Sequence, residues 1–272
     1  MHSQYNMLDF PKADRSSVES FNSNYLKTII FQVKFANSDN VYEKRSSYLD
    51  SLKGLFPRIS DSQQDGFSVT LNKDQTPILQ PIPTEKNGVE MRSEDGQRIV
   101  AILKDGITYT LNGTEYSNFS KVNTDLKIIF GILNPLGIET INRIAIRKIN
   151  IIDYEIPPQF EGTDNVSIMQ MLLHPSLLNN MDYFPSKNSI AQSIHNVLFV
   201  KENITMNLRY GVMQPNILEN KGQVLLDIDL FQQGDIPTSK TYDLLEEINL
   251  EIFNVFNWAM KPEAVERLMQ TS

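Results

Sequence analysis

Near its C-terminal end the chain places Val224-Leu225-Leu226-Asp227-Ile228-Asp229-Leu230-Phe231 shortly before a helical run from Thr241 to Met260. The first piece alternates apolar and acidic residues from Leu226 onward, the period of a strand with one buried face. The second repeats Leu245, Ile248, Ile252, Phe256 and Ala259, the period of a helix with one apolar stripe. A half-buried strand beside a half-buried helix must bury both apolar sides together, so the expected fold class is α+β. The same helix carries Asp243, Glu246, Glu247 and Glu251, read here as a solvated acidic face.

Other segments extend this pattern. Thr28 to Ala36 puts Ile29, Phe31, Val33 and Phe35 on one face of a strand, with Gln32 and Lys34 opposite. Asn40-Val41-Tyr42-Glu43 has the form of a capping box ahead of helical spacing from Arg45 to Phe56. Asp61 to Gly66 reads as a turn-rich loop, Phe67 to Leu71 as a short strand, and the three-proline stretch Gln75 to Pro83 as an extended edge or crossing segment. Arg98 to Leu103 and Ile107 to Leu111 flank Lys104-Asp105-Gly106, a tight-hairpin signal. Ser117 or Asn118 caps a helix striped by Phe119, Val122, Leu126, Ile129, Phe130 and Leu133, which Pro135 and Gly137 stop.

Ile138 to Asp153 is the longest strand candidate. Ile144 and Ile146 share one phase while Ile149 and Ile151 take the other, which predicts a β-bulge near Arg147-Lys148. Three antiparallel strands follow at Ile194–Val200, Ile204–Gly211 and Gln223–Phe231, then the helix 239–260 and a last short helix behind Pro262. Strand, strand, helix occurs twice, around 98–134 and 203–260. The expected organisation is a loosely ordered arm over 1–24 anchored at Leu8-Asp9-Phe10-Pro11, an α+β half over 25–156, a linker with Pro157-Pro158, and a second α+β half over 166–272. Each half is a mostly antiparallel sheet covered by a long amphipathic helix, and the long strand 138–153 is able to join the two sheets.

Composition narrows the function classes. The net charge of −8 and the pI near 5.0 argue against a general nucleic-acid binder, which needs clustered Lys and Arg for phosphates. With no cysteine, disulfides, thiolate metal sites and cysteine nucleophiles are ruled out. Met1 to Phe10 lacks the basic and apolar regions of a signal peptide, and no run approaches the about 18 apolar residues of a membrane-spanning helix, so a cytoplasmic protein is expected. His2, His174 and His195 form no ligand-spaced pair, and no nucleophile elbow, phosphate loop or dinucleotide fingerprint is present. No cofactor is expected.

The candidate binding residues are charged. Asp227 and Asp229 point off one strand face, where two carboxylates are able to hold a hard cation or pair with cations of their own sheet. Thr205, Asn207 and Arg209 share a face of the preceding strand, which sets Arg209 across from one of the aspartates if the two form a hairpin. Arg143 and Arg147 flank Ala145 and could grip a phosphate or a carboxylate, with the aspartates as internal alternatives. Trp258 lies off the apolar stripe of its helix and reads as an interface residue or as a core contact.

These pieces, in order, resemble a sporadically distributed prokaryotic protein family for which no reaction is established. The matching elements are Ile29 to Phe35, Leu55-Phe56-Pro57, Tyr116-Ser117-Asn118-Phe119, the strand with Arg143, Arg147 and Asn150, and Leu226 to Asp229 leading into a helix with Ile252, Phe253 and Phe256. The resemblance runs from about Tyr25 to about Met269. Where the family pattern often has an aromatic, a Trp and a His, this chain has Lys148, Asn118 and Asn249. The family's patchy distribution implies genes carried in mobile or defence islands. The leading expectation is a non-catalytic interaction protein with a protein partner or self-association. The alternatives are a metal-dependent enzyme acting on a phosphorylated substrate through Asp227 and Asp229, and a chaperone-like protein holding peptides on sheet edges and on Met169 and Met171.

Overall fold

Alternation of Ile29, Phe31 and Val33 with polar residues makes a strand, β1 (Leu26–Lys34), whose apolar side is fully buried. The computed structural model describes residues 7–13, 25–36, 38–71, 77–116, 118–155, 165–178, 190–216 and 221–269. After β1 come α1 (Asn40–Glu43) and α2 (Arg45–Leu52), then β2 (Arg58–Leu71), β3 (Pro77–Arg92), β4 (Arg98–Leu103), β5 (Gly106–Asn112) and α3 (Phe119–Gly131). The chain continues through β6 (Thr140–Glu155), α4 (Asn165–Leu172), β7 (Ser193–Lys201), β8 (Ile204–Asn216), β9 (Lys221–Pro237), α5 (Thr241–Ala259) and α6 (Pro262–Met269). The expected linker with Pro157-Pro158 lies outside the described residues.

The fold class is α+β, and the described residues form one nine-stranded antiparallel sheet in the order β2-β3-β4-β5-β1-β6-β9-β8-β7. Outward from the β1–β6 seam the order is β1-β5-β4-β3 on one side and β6-β9-β8-β7 on the other. Each side has one strand, a helical connection, a meander and a closing helix, with β2 additional on the first.

The helices share one face. α5 packs on β6 and β9, α3 on β5 and against α5, and α4 on β8 and α6. The core between them and the sheet includes Phe31, Tyr109, Leu126, Ile129, Ile144, Ile146, Leu226, Ile228, Leu245, Ile248 and Ile252. Of the two expected cap positions, Asn118 caps α3, its side chain accepting from the Lys121 N–H at 3.0 Å. The Lys104-Asp105 hairpin is present, with Leu103 paired to Gly106.

Several expectations are corrected. β6 has no bulge at Arg147-Lys148; it pairs in continuous register with β9 from Arg143 to Glu155, and its register shift lies between Ile141 and Arg143. Ile144, Ile146, Lys148, Asn150 and Ile152 all face the helices, so the apparent change of phase is Lys148 and Asn150 occupying core positions. Asp61 to Gly66 is part of the long strand β2 rather than a loop. Its partner β3 holds Pro77, Pro81 and Pro83 where only β2 is paired, which leaves one side free of ladder hydrogen bonds. Asn40 does not cap α1 and instead donates through Nδ2 to the Leu136 carbonyl at 2.7 Å. Glu251, read as solvated, is buried, whereas Asp243, Glu246 and Glu247 are exposed. Met169 is buried and only Met171 of that pair lies at the surface.

Candidate functional site

The pleat sends alternate residues of each strand to the face that carries no helix among the described residues, here called the helix-free face. Register places Ile30 and Gln32 of β1 opposite Arg147 and Ala145 of β6, Arg147 and Ala145 opposite Asp229 and Phe231 of β9, and Asp227 and Asp229 opposite Arg209 and Asn207 of β8. Sequence-distant charges therefore meet in one belt over four adjacent strands. The expected candidates Arg143, Arg147, Arg209, Asp227 and Asp229 all lie in it. Trp258 does not: it is at the end of α5, stacked on His174 and edge-on to Phe10.

Asp227 is the best-satisfied member. Its carboxylate accepts two hydrogen bonds from Arg147, from Nε at 2.9 Å and from Nη2 at 2.7 Å, and a third from Arg209 Nη1 at 3.4 Å. The two guanidinium groups cover it until only 3% of its side chain is exposed. The bidentate grip raises the Arg147 pKa.

The neighbouring pair is looser. Arg143 reaches Asp229 at 3.6 Å, donates to the Gln32 side-chain oxygen, and lies over the Phe231 ring with its guanidinium carbon 4.2 Å from the centroid. Burial pushes the Asp229 carboxyl up, against the lowering effect of Arg143 and Arg147. The same loss of water lowers Arg143, against the raising effect of Asp229. In both groups the loss of water is the larger influence on the shift. A hollow of about 150 Å³ opens here, lined by Ile30, Gln32, Arg143, Ala145, Arg147 and Asp229. It straddles the β1–β6 seam. Gln32 was not singled out from the sequence, although its position opposite the buried phase of β1 marked it as a polar residue of the open face.

Among the described residues no three His, Asp or Glu side chains converge as a cation cage requires. The two aspartates point at arginines rather than at a shared centre.

A second polar cluster lies in the core. Lys148 Nζ donates to Asn249 Oδ1 at 2.7 Å and to the Tyr116 hydroxyl at 3.3 Å, and sits 4.9 Å from the Tyr116 ring centroid. The Tyr116 hydroxyl also donates to Asn249 Oδ1 at 3.3 Å. This cluster ties β6 to α5 and to the residues ahead of α3, with no access from the hollow on the other face.

Comparison with known proteins finds no matching family model and no curated protein similar to this chain. None of the helices is long and apolar enough to cross a membrane among the described residues.

Proposed function

We propose that the chain is a non-catalytic binding protein that docks a protein partner on the helix-free face of its sheet. One observation carries this reading: the hollow at the β1–β6 seam is lined by Arg143, which bonds to Gln32 but lies 3.6 Å from the Asp229 carboxylate, beyond hydrogen-bond distance. The belt holds three arginines and two aspartates, so it is locally cationic on a chain of net charge −8. A partner that inserts a side-chain or C-terminal carboxylate beside Arg143 adds a charge-assisted hydrogen bond to those it already makes, and Ile30 and Ala145 line the hollow around it. Asp227 is already committed to two guanidinium groups, which disfavours the reading as a magnesium-dependent enzyme.

The mirrored strand order supports a description as two linked halves meeting at this seam, with the hollow near their junction. The resemblance drawn from the sequence supports a place in a host-defence or stress system as a partner subunit.

The test is affinity capture from the native host with the wild-type chain and with Arg143→Glu, alongside light scattering of each. The expected result is a reproducible partner or self-association that Arg143→Glu loses at unchanged thermal stability. A wild-type chain that stays monomeric and captures nothing reproducible refutes the proposal.

A further inference from the structure

Residues 7–13 are held by parts of the chain remote in sequence. The Leu8 N–H donates to Glu251 Oε1 at 3.0 Å, and the Ala13 N–H donates to Asn254 Oδ1 at 3.1 Å. Asn254 Nδ2 in turn donates to Glu251 Oε2 at 3.1 Å. Both receiving side chains are buried, Glu251 at 2% exposure and Asn254 at 4%. Met7 and Phe10 are buried as two apolar anchors. The Phe10 ring meets Trp258 edge-on at 5.0 Å and Phe199 at 5.5 Å. Between the anchors Asp9 adopts φ 63°, a left-handed turn that Asp tolerates, and its carboxylate receives Lys201 Nζ at 2.8 Å.

This is how a groove reads a peptide. Buried side-chain acceptors take main-chain N–H groups, apolar pockets take side chains at fixed spacing, and a rim charge takes the acid between them. Ordinary packing of one element on another does not require buried carboxylate and amide oxygens aimed at backbone donors. All the contacts given above go to α5 and β7, and none to β1, which the segment joins through residues 14–24. Those eleven residues reach at most about 40 Å. Each contact described above is made by residues 7–13 themselves, so the same seven residues supplied by a second copy offer the groove the same groups.

We propose that the groove formed by α5 and β7 is a peptide-binding site, and that its intermolecular ligand is the 7–13 segment of a second copy, so that two chains exchange arms. An exchange of identical arms closes on itself as a symmetric dimer. Within one chain the tether gives the arm a high effective concentration, on the order of millimolar, so exchange grows with protein concentration.

The chain contains no cysteine, so single cysteines introduced at Asp9 and Lys201 report the contact directly. Both side chains are exposed, at 75% and 43%, and either substitution leaves the core intact. Full-length Asp9→Cys and Lys201→Cys chains are mixed at several hundred micromolar, equilibrated, and treated with a short bis-maleimide. The expected result is a mixed cross-linked dimer at least tenfold above that formed by Asp9→Cys with Glu247→Cys, an exposed position elsewhere on α5. Excess synthetic peptide of residues 7–13 suppresses it, and the same peptide carrying Phe10→Ala does not. A mixed yield no higher than the control overturns arm exchange. In a second measurement, fluorescence anisotropy of the labelled peptide is followed with full-length Phe10→Ala protein of wild-type circular dichroism. Binding at least tenfold tighter than to the wild-type chain, whose own arm competes, supports the peptide site, and no binding overturns it. Arg143→Glu leaves both results unchanged, which separates this inference from the partner-docking face.

Discussion

Replacing Asn249 by Leu leaves the Lys148 ammonium in the core without its shortest hydrogen bond. Lys148 and Asn249 are each 9% exposed, and the bond between them is 2.7 Å. Hydrogen bonds to charged groups contribute about 1.5–3 kcal/mol, and removing one partner of a buried charge carries its desolvation cost as well. The Tyr116 hydroxyl at 3.3 Å and the ring at 4.9 Å remain, so the loss is limited to about 2–3 kcal/mol. For a chain of this size that lowers Tm by roughly 4–10 °C. Lys148→Met behaves differently, because it removes the charge along with its cost and keeps the volume. Asn249 Oδ1 then retains the Tyr116 hydroxyl at 3.3 Å, and the change stays within about 1 kcal/mol of wild type. The double variant Lys148→Met/Asn249→Leu recovers most of the loss of the Asn249 variant. Urea unfolding followed by circular dichroism measures all four corners of the cycle. If Lys148→Met destabilises as much as Asn249→Leu, the buried ammonium is a net contributor and the reasoning fails.

Three further outcomes follow from the geometry. Asp229→Asn raises stability at neutral pH: the folded-state pKa is raised, so the native state favours the protonated carboxyl, and the cost of ionising it appears as pH rises through that pKa. Thermal melts of both proteins between pH 3 and 8 (roughly the span around a carboxyl group) check this, and a gain that persists unchanged in acid contradicts it. Arg147→Met weakens the fold by about 1–2 kcal/mol and Arg209→Met by under about 1 kcal/mol, because only Arg147 grips Asp227 with two bonds; equal losses in denaturant melts refute that ranking. Gly211→Ala destabilises by about 2–3 kcal/mol, since φ is +145° and an added Cβ meets the Ser193 carbonyl oxygen at 1.9 Å; amide exchange is then expected to accelerate first along β7.

Much of the architecture was legible in local pattern. The periods of β1, α3, β8, β9 and α5 identify these elements because each has a single buried side, and one buried side leaves a period in the sequence. The same alternation assigned Arg143, Arg147, Arg209, Asp227 and Asp229 to faces of their strands. Where polar groups are buried, the signal inverts. Lys148 and Asn150 in core positions imitated a bulge, and Glu251 on the inner side of α5 looked like part of its solvated acidic face.

The hairpins β4–β5, β7–β8 and β8–β9 were expected from sequence adjacency, and they set Arg209 across from Asp227; pairing between strands distant in sequence lay beyond local pattern, because a strand's period records which side is buried and not which strand lies beside it. The side-by-side placement of β1 and β6, residues 26–34 and 140–155, creates the seam hollow and brings Gln32 to Arg143. The pairing of β6 with β9 brings Arg147 to Asp227, and long-range packing lays residues 7–13 across α5. Each of these contacts joins residues whose local sequences carry no mark of one another. Burial shared between remote segments selects them, which makes them properties of the assembled core.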